Sequence, residues 1–283
     1  MINKSGYFEG RENRKLFYQN WQPEGDIKAY IVVIHGWGTH SDRVKISAEG
    51  LTEKGYALFS FDLRGHWRNI GDNIGHFESM DHLQKDIVLF MDVVKKESKN
   101  QKIFLMGHSF GGLICLIYAI NHPDLPSVIA SSPLLGLSEK MSFGKKMYKK
   151  LSATLSPEKT VPYIIDQKDL TSDIKILREY IADKNKLEVI SAKSFVEMNK
   201  SMKWAMDHAS DLLCPCLILQ AGKERLGNNE KTKEFFEKIK NKDKSYREYE
   251  DFLHDVLNEK RRAQVYQDID LFLSKILRIK AKN

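Results

Sequence analysis

No apolar run in this chain approaches the ~20 residues that a helix needs to cross a bilayer, so no membrane-spanning segment is expected. Cysteine is scarce, with three residues in 283, at positions 115, 214 and 216. That is too few for a disulfide scaffold. The N-terminal Met1-Ile2-Asn3-Lys4-Ser5-Gly6-Tyr7 lacks the charged-then-apolar layout of a secretory signal. The reducing cytoplasm is therefore the expected compartment. Metal and nucleotide signatures are missing as well. There is no HExxH, and Cys214-Pro215-Cys216 is a two-ligand fragment without partners. Gly36-Trp37-Gly38 lacks the third glycine of a dinucleotide fingerprint, and no phosphate-binding GxxxxGK precedes a Ser or Thr. Neither a metal nor a cofactor is expected.

What is present is a globular mixture, 42% hydrophobic and 29% charged, too apolar for a disordered chain. The balance of 45 Lys+Arg against 38 Asp+Glu gives a net charge of +7. The lysines are spread along the whole chain among acids, whereas a nucleic-acid binder concentrates them on one helix or interleaves them with aromatics. No nucleic-acid partner is expected; peripheral contact with an anionic lipid surface suits the charge better.

Short apolar runs bounded by turn residues recur along the chain. Ala29–Ile34 (AYIVVI) is β-branched and nearly all apolar, as in a strand buried on both faces. Tyr56–Phe61, Lys102–Met106, Ser127–Ala130 and Cys216–Gln220 read the same way, with helical patterns over about 41–54 and 82–96 between them. Strands alternating with helices predict an α/β domain with a mainly parallel sheet covered on both faces. The alternation stops between about Leu137 and Asp207, where helical periodicity dominates and no convincing strand stands out. The division is thus a core of 1–136 and 208–283, with 137–207 a helical cap over the sheet's carboxyl edge. This cap opens on a basic amphipathic stretch, Leu137 to Leu155, whose Lys145, Lys146, Lys149 and Lys150 suit docking at a lipid–water interface. Further on, Phe195, Met198, Met202 and Met206 are spaced 3, 4 and 4. Cap packing explains that series, although a flexible Met-rich face also suits an acyl chain, so Met198 and Met202 are candidate pocket residues.

The sharpest chemical signal is Gly107-His108-Ser109-Phe110-Gly111-Gly112, between the strand KIFLM and the helical run LICLIYAI. Glycines there permit a cramped strand-to-helix turn that lifts Ser109 above the sheet, and the helix adds its positive end. Serine is a weak nucleophile unaided, so a base and an orienting acid are required, in the chain order Ser, acid, His. Only His208 and His254, of nine histidines, follow Ser109 at an appreciable distance. The acid belongs on the loop past a late strand, and CLILQ followed by Ala221-Gly222-Lys223-Glu224 supplies Glu224. Glu224 lies after His208, which leaves His254, past the strand expected at Ser245–Tyr249.

These segments resemble the α/β-hydrolase family and, within it, the monoacylglycerol lipase and lysophospholipase branch of serine hydrolases. The similarity runs from YFEGRENRKLFYQNWQP through HGWG at 35–38, FDLRGH at 61–66 and GHSFGG at 107–112 to SSPLLGL, LILQAGKERLGNNE and FLHDVLNE. It implies the triad Ser109, Glu224 and His254, with Glu224 where the family commonly has Asp. It also assigns the oxyanion hole to the backbone N–H groups of Trp37 and Phe110. In FDLRGH, Trp67 stands for the family's second glycine and Asn69 for its serine; Arg64 and His66 are read as structural. The implied function is a serine ester hydrolase cleaving single-acyl-chain lipid esters. The same triad would serve a short-chain carboxylesterase or thioesterase, and a catalytically silent hydrolase scaffold used as a binding module is the remaining rival.

Overall fold

The computed structural model describes residues 1–71, 73–138 and 156–279. Its centre is an eight-stranded sheet in the order β1-β2-β4-β3-β5-β6-β9-β10. The strands are β1 (Ile2–Glu9), β2 (Lys15–Gln22), β3 (Ala29–Ile34), β4 (Tyr56–Phe61), β5 (Ile103–His108), β6 (Val128–Ser131), β9 (Cys216–Ala221) and β10 (Lys244–Tyr249). From β4 to β10 all neighbours run parallel, while β1 and β2 add an antiparallel margin.

Alternation along the buried strands explains how one sheet serves two cores. Val32, Ile34 and Leu105 pack on one face, with Phe61 and Phe90. Their neighbours Ile31, Val33, Phe104 and Met106 pack on the other, with Leu219 and Ile269. Helices α2 (Met80–Ser98) and α3 (Phe110–Asn121) cover the first face. Helices α1 (Lys45–Thr52) and α6 (Ala263–Ile279) cover the second. Each core strand is therefore mostly apolar along its length, which is why the runs were readable. The edges differ: β1 exposes nearly every residue, and β10 carries Arg247 and Glu248 to solvent. The N-terminal hairpin β1–β2 has no such run and was not anticipated. The helix expected over 41–54 is a 3-10 turn (Ser41–Val44) followed by α1.

Between β6 and β9 the chain leaves the sheet. The described part, 156–207, contains β7 (Thr160–Pro162), α4 (Ile174–Ala182), β8 (Val189–Ser191) and α5 (Ala192–Asp207). The expectation of no strand here is corrected, because β7 and β8 form an antiparallel pair. Three residues each is too short for periodicity to register. The segment is stitched to the core by backbone bonds, Leu187 N–H to the Gly38 carbonyl at 2.9 Å and Ser191 N–H to that of Gly75 at 2.9 Å. In the basic stretch Leu137–Leu155, residues 139–155 lie outside the described residues. Among the described residues no helix is long and apolar enough to cross a membrane.

Candidate active site

Ser109 sits between β5 and α3 with φ 55° and ψ −118°, a backbone conformation that costs a non-glycine residue energy. Its surroundings hold it there. The Ser109 N–H donates to the Ser131 carbonyl at 2.9 Å, and its own carbonyl accepts from Leu113 and Leu134 at 3.0 Å each. Both glycines of GHSFG are demanded by contact. A side-chain carbon at Gly107 would run into the Gly111 carbonyl and the Cys115 sulfur, and one at Gly111 into the carbonyls of Ile34 and His35. The turn can thus be this tight only with hydrogen at both positions.

The loop after β3 closes on this elbow. A carbon added at Gly36 would lie 3.3 Å from Ser109 Cβ and 3.4 Å from the His108 carbonyl oxygen. Buried histidines staple the loop in place. His35 Nε2 accepts from Leu63 N–H at 2.9 Å, and His66 Nε2 accepts from Gly38 N–H at 3.3 Å. Burial pushes both rings down to a pKa of about 3, so both are neutral acceptors. Arg64 pairs with the fully buried Asp86 (2.8 Å to Oδ1). Arg64 and His66 therefore hold loops together, as read from the sequence.

Glu224 and His254 follow the carboxyl ends of β9 and β10. Glu224 Oε2 lies 2.7 Å from His254 Nδ1, with each side chain only 2% exposed. Its other oxygen, Oε1, accepts from the N–H groups of Arg225, Leu226 and Gly227 at 2.9, 2.8 and 3.0 Å. The turn 224–227 thus wraps around the carboxylate and takes up the extra methylene of Glu. Burial opposes ionisation of Glu224, but His254 and those amides prevail and bring its pKa down to about 2. For His254 burial likewise opposes charge, and Glu224 outweighs it, raising the pKa above 6.5. Asp211, the acid on the other side of β9, is exposed in a 3-10 turn ahead of that strand.

Ser109, His254, Trp37, Gly38 and His108 all line one cavity of about 40 Å³. That holds a few water molecules, not an extended acyl chain. Beside it Trp37, Phe77 and Phe110 pack ring against ring, with centroids 5.6–6.1 Å apart, and Tyr163 lies 6.3 Å from Trp37. Met198 and Met202, the candidate pocket residues, do not line this cavity. They are 0% and 6% exposed and fill the apolar core with Phe195. Their periodic face is spent on packing α5 against the rest of the molecule. Sequence reasoning passed over Asp255, Thr39 and Arg43, which do line the cavity; none stands in a motif that marks it. Among the described residues no cluster of three or more His, Cys, Asp or Glu is placed to hold a metal ion.

Residues 25–261 match the family described as serine aminopeptidase, S33. The chain belongs to this family. Its α/β-hydrolase architecture also matches that of a solved monoacylglycerol lipase from Paleococcus ferrophilus, at TM-score 0.80 and 28% identity over 92% of this chain and 99% of that one. A Bacillus subtilis phospholipase, YtpA, is 26% identical over 250 residues, covering 87% of this chain and 95% of the relative. An uncharacterized abhydrolase domain-containing protein of Dictyostelium discoideum is 28% identical over 254 residues, 88% of this chain and only 26% of that longer protein. The family membership makes the chain a hydrolase, with the elbow, the acid and the histidine gathered at one end of the sheet.

Proposed function

We propose that this hydrolase is a serine esterase acting on single-acyl-chain lipid esters, the reading that the Glu224–His254 pair beside a strained Ser109 supports best. With Nδ1 of His254 occupied by Glu224, Nε2 is left to take the Ser109 proton as Oγ attacks the ester carbonyl. Glu224 then stabilises the imidazolium, and the N–H groups of Trp37 and Phe110 hold the tetrahedral oxyanion. Collapse expels the alcohol, which takes the proton from His254 and leaves an acyl group on Ser109. Water, deprotonated by His254, releases the fatty acid. The substrate class draws on relatives named phospholipase and monoacylglycerol lipase. Residues 137–207 act as the cap in this reading. The cytoplasm, with peripheral contact to an anionic lipid surface, is the compartment that goes with it. Changing Lys145, Lys146, Lys149 and Lys150 to Gln should weaken binding to anionic vesicles at low salt and leave turnover of a soluble short ester nearly unchanged.

One observation favours a second reading, a short-chain carboxylesterase or thioesterase: the cavity is small and its neighbourhood is filled with aromatic rings. Hydrolysis rates for a chain-length series of glycerol and thiol esters separate the two, and a preference for the shortest members favours the second. Failure of Ser109 to react with a fluorophosphonate probe would sink both and leave a silent scaffold.

A further inference from the structure

His254 stands on a stretch of chain that belongs to no strand or helix, between β10 and the 3-10 turn Val256–Asn258. A side chain so placed is only as steady as the backbone on either side of it. Three successive N–H groups there are nevertheless all engaged. Leu253 N–H donates to Glu259 Oε1 at 3.0 Å. His254 N–H donates to the Asp169 carbonyl at 3.3 Å, and Asp255 N–H to that of Leu170 at 2.8 Å. None of these acceptors lies in the sheet. Two belong to the segment that overlies it between β6 and β9, and the third is a side chain.

Glu259 is the node of this arrangement. It is 1% exposed and stands outside the Ser109, Glu224 and His254 set. Besides Leu253, its Oε1 accepts from Ser172 N–H at 2.9 Å. Its Oε2 accepts from the Ser172 hydroxyl at 2.6 Å and from Lys260 N–H at 3.1 Å. A buried carboxyl group with four donors gathered on two oxygens is held firmly, and it holds its donors in return. One of those donors immediately precedes the histidine, and two belong to Ser172 of the overlying segment. Neighbouring bonds make the same join. The Thr171 hydroxyl donates to the Asn258 carbonyl at 3.0 Å, and Arg262 Nη1 to Asp173 Oδ2 at 3.0 Å. Arg225, the residue after Glu224, reaches Asp169 Oδ1 at 3.2 Å. Residues 169–173 thus run as a strap across the loops of His254 and Glu224.

On the reading of this site as a serine esterase, we propose that Glu259 is a positioning residue for His254. By tying Leu253 to the Ser172 strap it sets where the imidazole stands between Glu224 and Ser109. The overlying segment is then part of the support of the base and not only a cover. Proton transfer is unforgiving of distance, and a misplacement of about 1 Å costs on the order of 100-fold.

The test compares Glu259→Met with Glu259→Gln in the full chain, on a soluble short-chain ester. Both remove the charge, but only Gln keeps an oxygen for the N–H groups of Leu253 and Ser172, so the pair separates hydrogen bond from charge. In Glu259→Met, kcat per folded molecule should fall about 10- to 100-fold with KM within about twofold, and Glu259→Gln should recover most of that loss. The pH profile adds a readout that lost stability alone would not move. The titratable groups facing His254 are Glu224, Asp255, Asp169 and His108. Burial opposes charge on the ring and Glu224 outweighs it. A ring that drifts loses both influences, so in Glu259→Met the acid limb of kcat/KM should move down toward 6.5. Should Glu259→Met not fold, Ser172→Ala at an exposed position carries the test, with a fall of a few-fold in kcat and a limb shifted the same way. An unchanged kcat, an equal loss in the Met and Gln variants, or a loss with the acid limb in place overturns the role of Glu259 while wild-type ester turnover stands. Absence of turnover on every ester by the wild type overturns the esterase reading itself, and this inference with it.

Discussion

The proposed nucleophile and the proposed acid are held in opposite ways. Ser109 is fixed by steric exclusion: a strained backbone, two glycines with no room for another carbon, and a loop pressed against its Cβ. Glu224 is fixed by attraction, with three amides on one oxygen and a histidine on the other. The first arrangement is indifferent to protons and intolerant of volume. The second accommodates the longer Glu side chain, since its turn closes around that carboxylate, but it depends on charge. One site thus combines a rigid half and a titratable half.

The sharpest break in that contrast is Ser109→Ala, which removes the proposed nucleophile and leaves both halves folded. Ester turnover should fall by about six orders of magnitude, with a residue from the oxyanion donors alone; retention of a tenth of wild-type rate would remove Ser109 from the chemistry. On the attractive half, Glu224→Gln should cost about 10⁴-fold in kcat, because the imidazole loses its orienting anion. Asp211→Asn should cost little, and the reverse pattern in a paired assay would show the acid to lie before β9. On the rigid half, Gly111→Ala should cost about 1–3 kcal/mol of stability through overpacking against the backbone of the loop after β3. A chemical denaturation midpoint equal to wild type would show that the elbow has slack.

The smallest and most diagnostic effect is on pH. His254 must be neutral to accept a proton, and its pKa is raised above 6.5, so kcat/KM should fall about tenfold per unit as pH drops below that raised value. Glu224→Gln removes the charge that raises it, and the acid limb of the remaining activity should move down; a limb that stays put would dissociate the two residues. The linked stabilities have opposite signs. The lowered Glu224 pKa contributes stability above its ordinary 4.5 that is lost as pH falls toward about 2. The raised His254 pKa contributes stability below 6.5 that is lost as pH rises through the folded value.

The same contrast decides what could be read from the sequence. Steric requirements leave marks: the glycines around Ser109 and the largely apolar runs of β3, β4 and β9 are visible because little else fits. Chain order then led to Glu224 and His254 without revealing how Glu224 is held, since backbone amides have no letter in a sequence. Met198 and Met202 failed for a related reason: helical spacing tells that a face is apolar and not whether it meets a cavity or a core. Asp255 left no trace, because an isolated acid after a histidine looks like any other. β7 and β8 were too short, and β1 too polar, for alternation to show.

The bond between Leu187 and Gly38 joins the overlying segment to the residue after Trp37. Gly38 has φ +78°, and any side chain there would strike the Leu187 carbonyl, so the two backbones meet in a fit that no other residue could make. Lifting the overlying segment at this point would break a hydrogen bond worth about 1 kcal/mol and free one of the restraints on the loop beneath. The overlying segment and the loop that carries the proposed oxyanion donor Trp37 are therefore hung from one pin, and a shift of either backbone here is felt by the other.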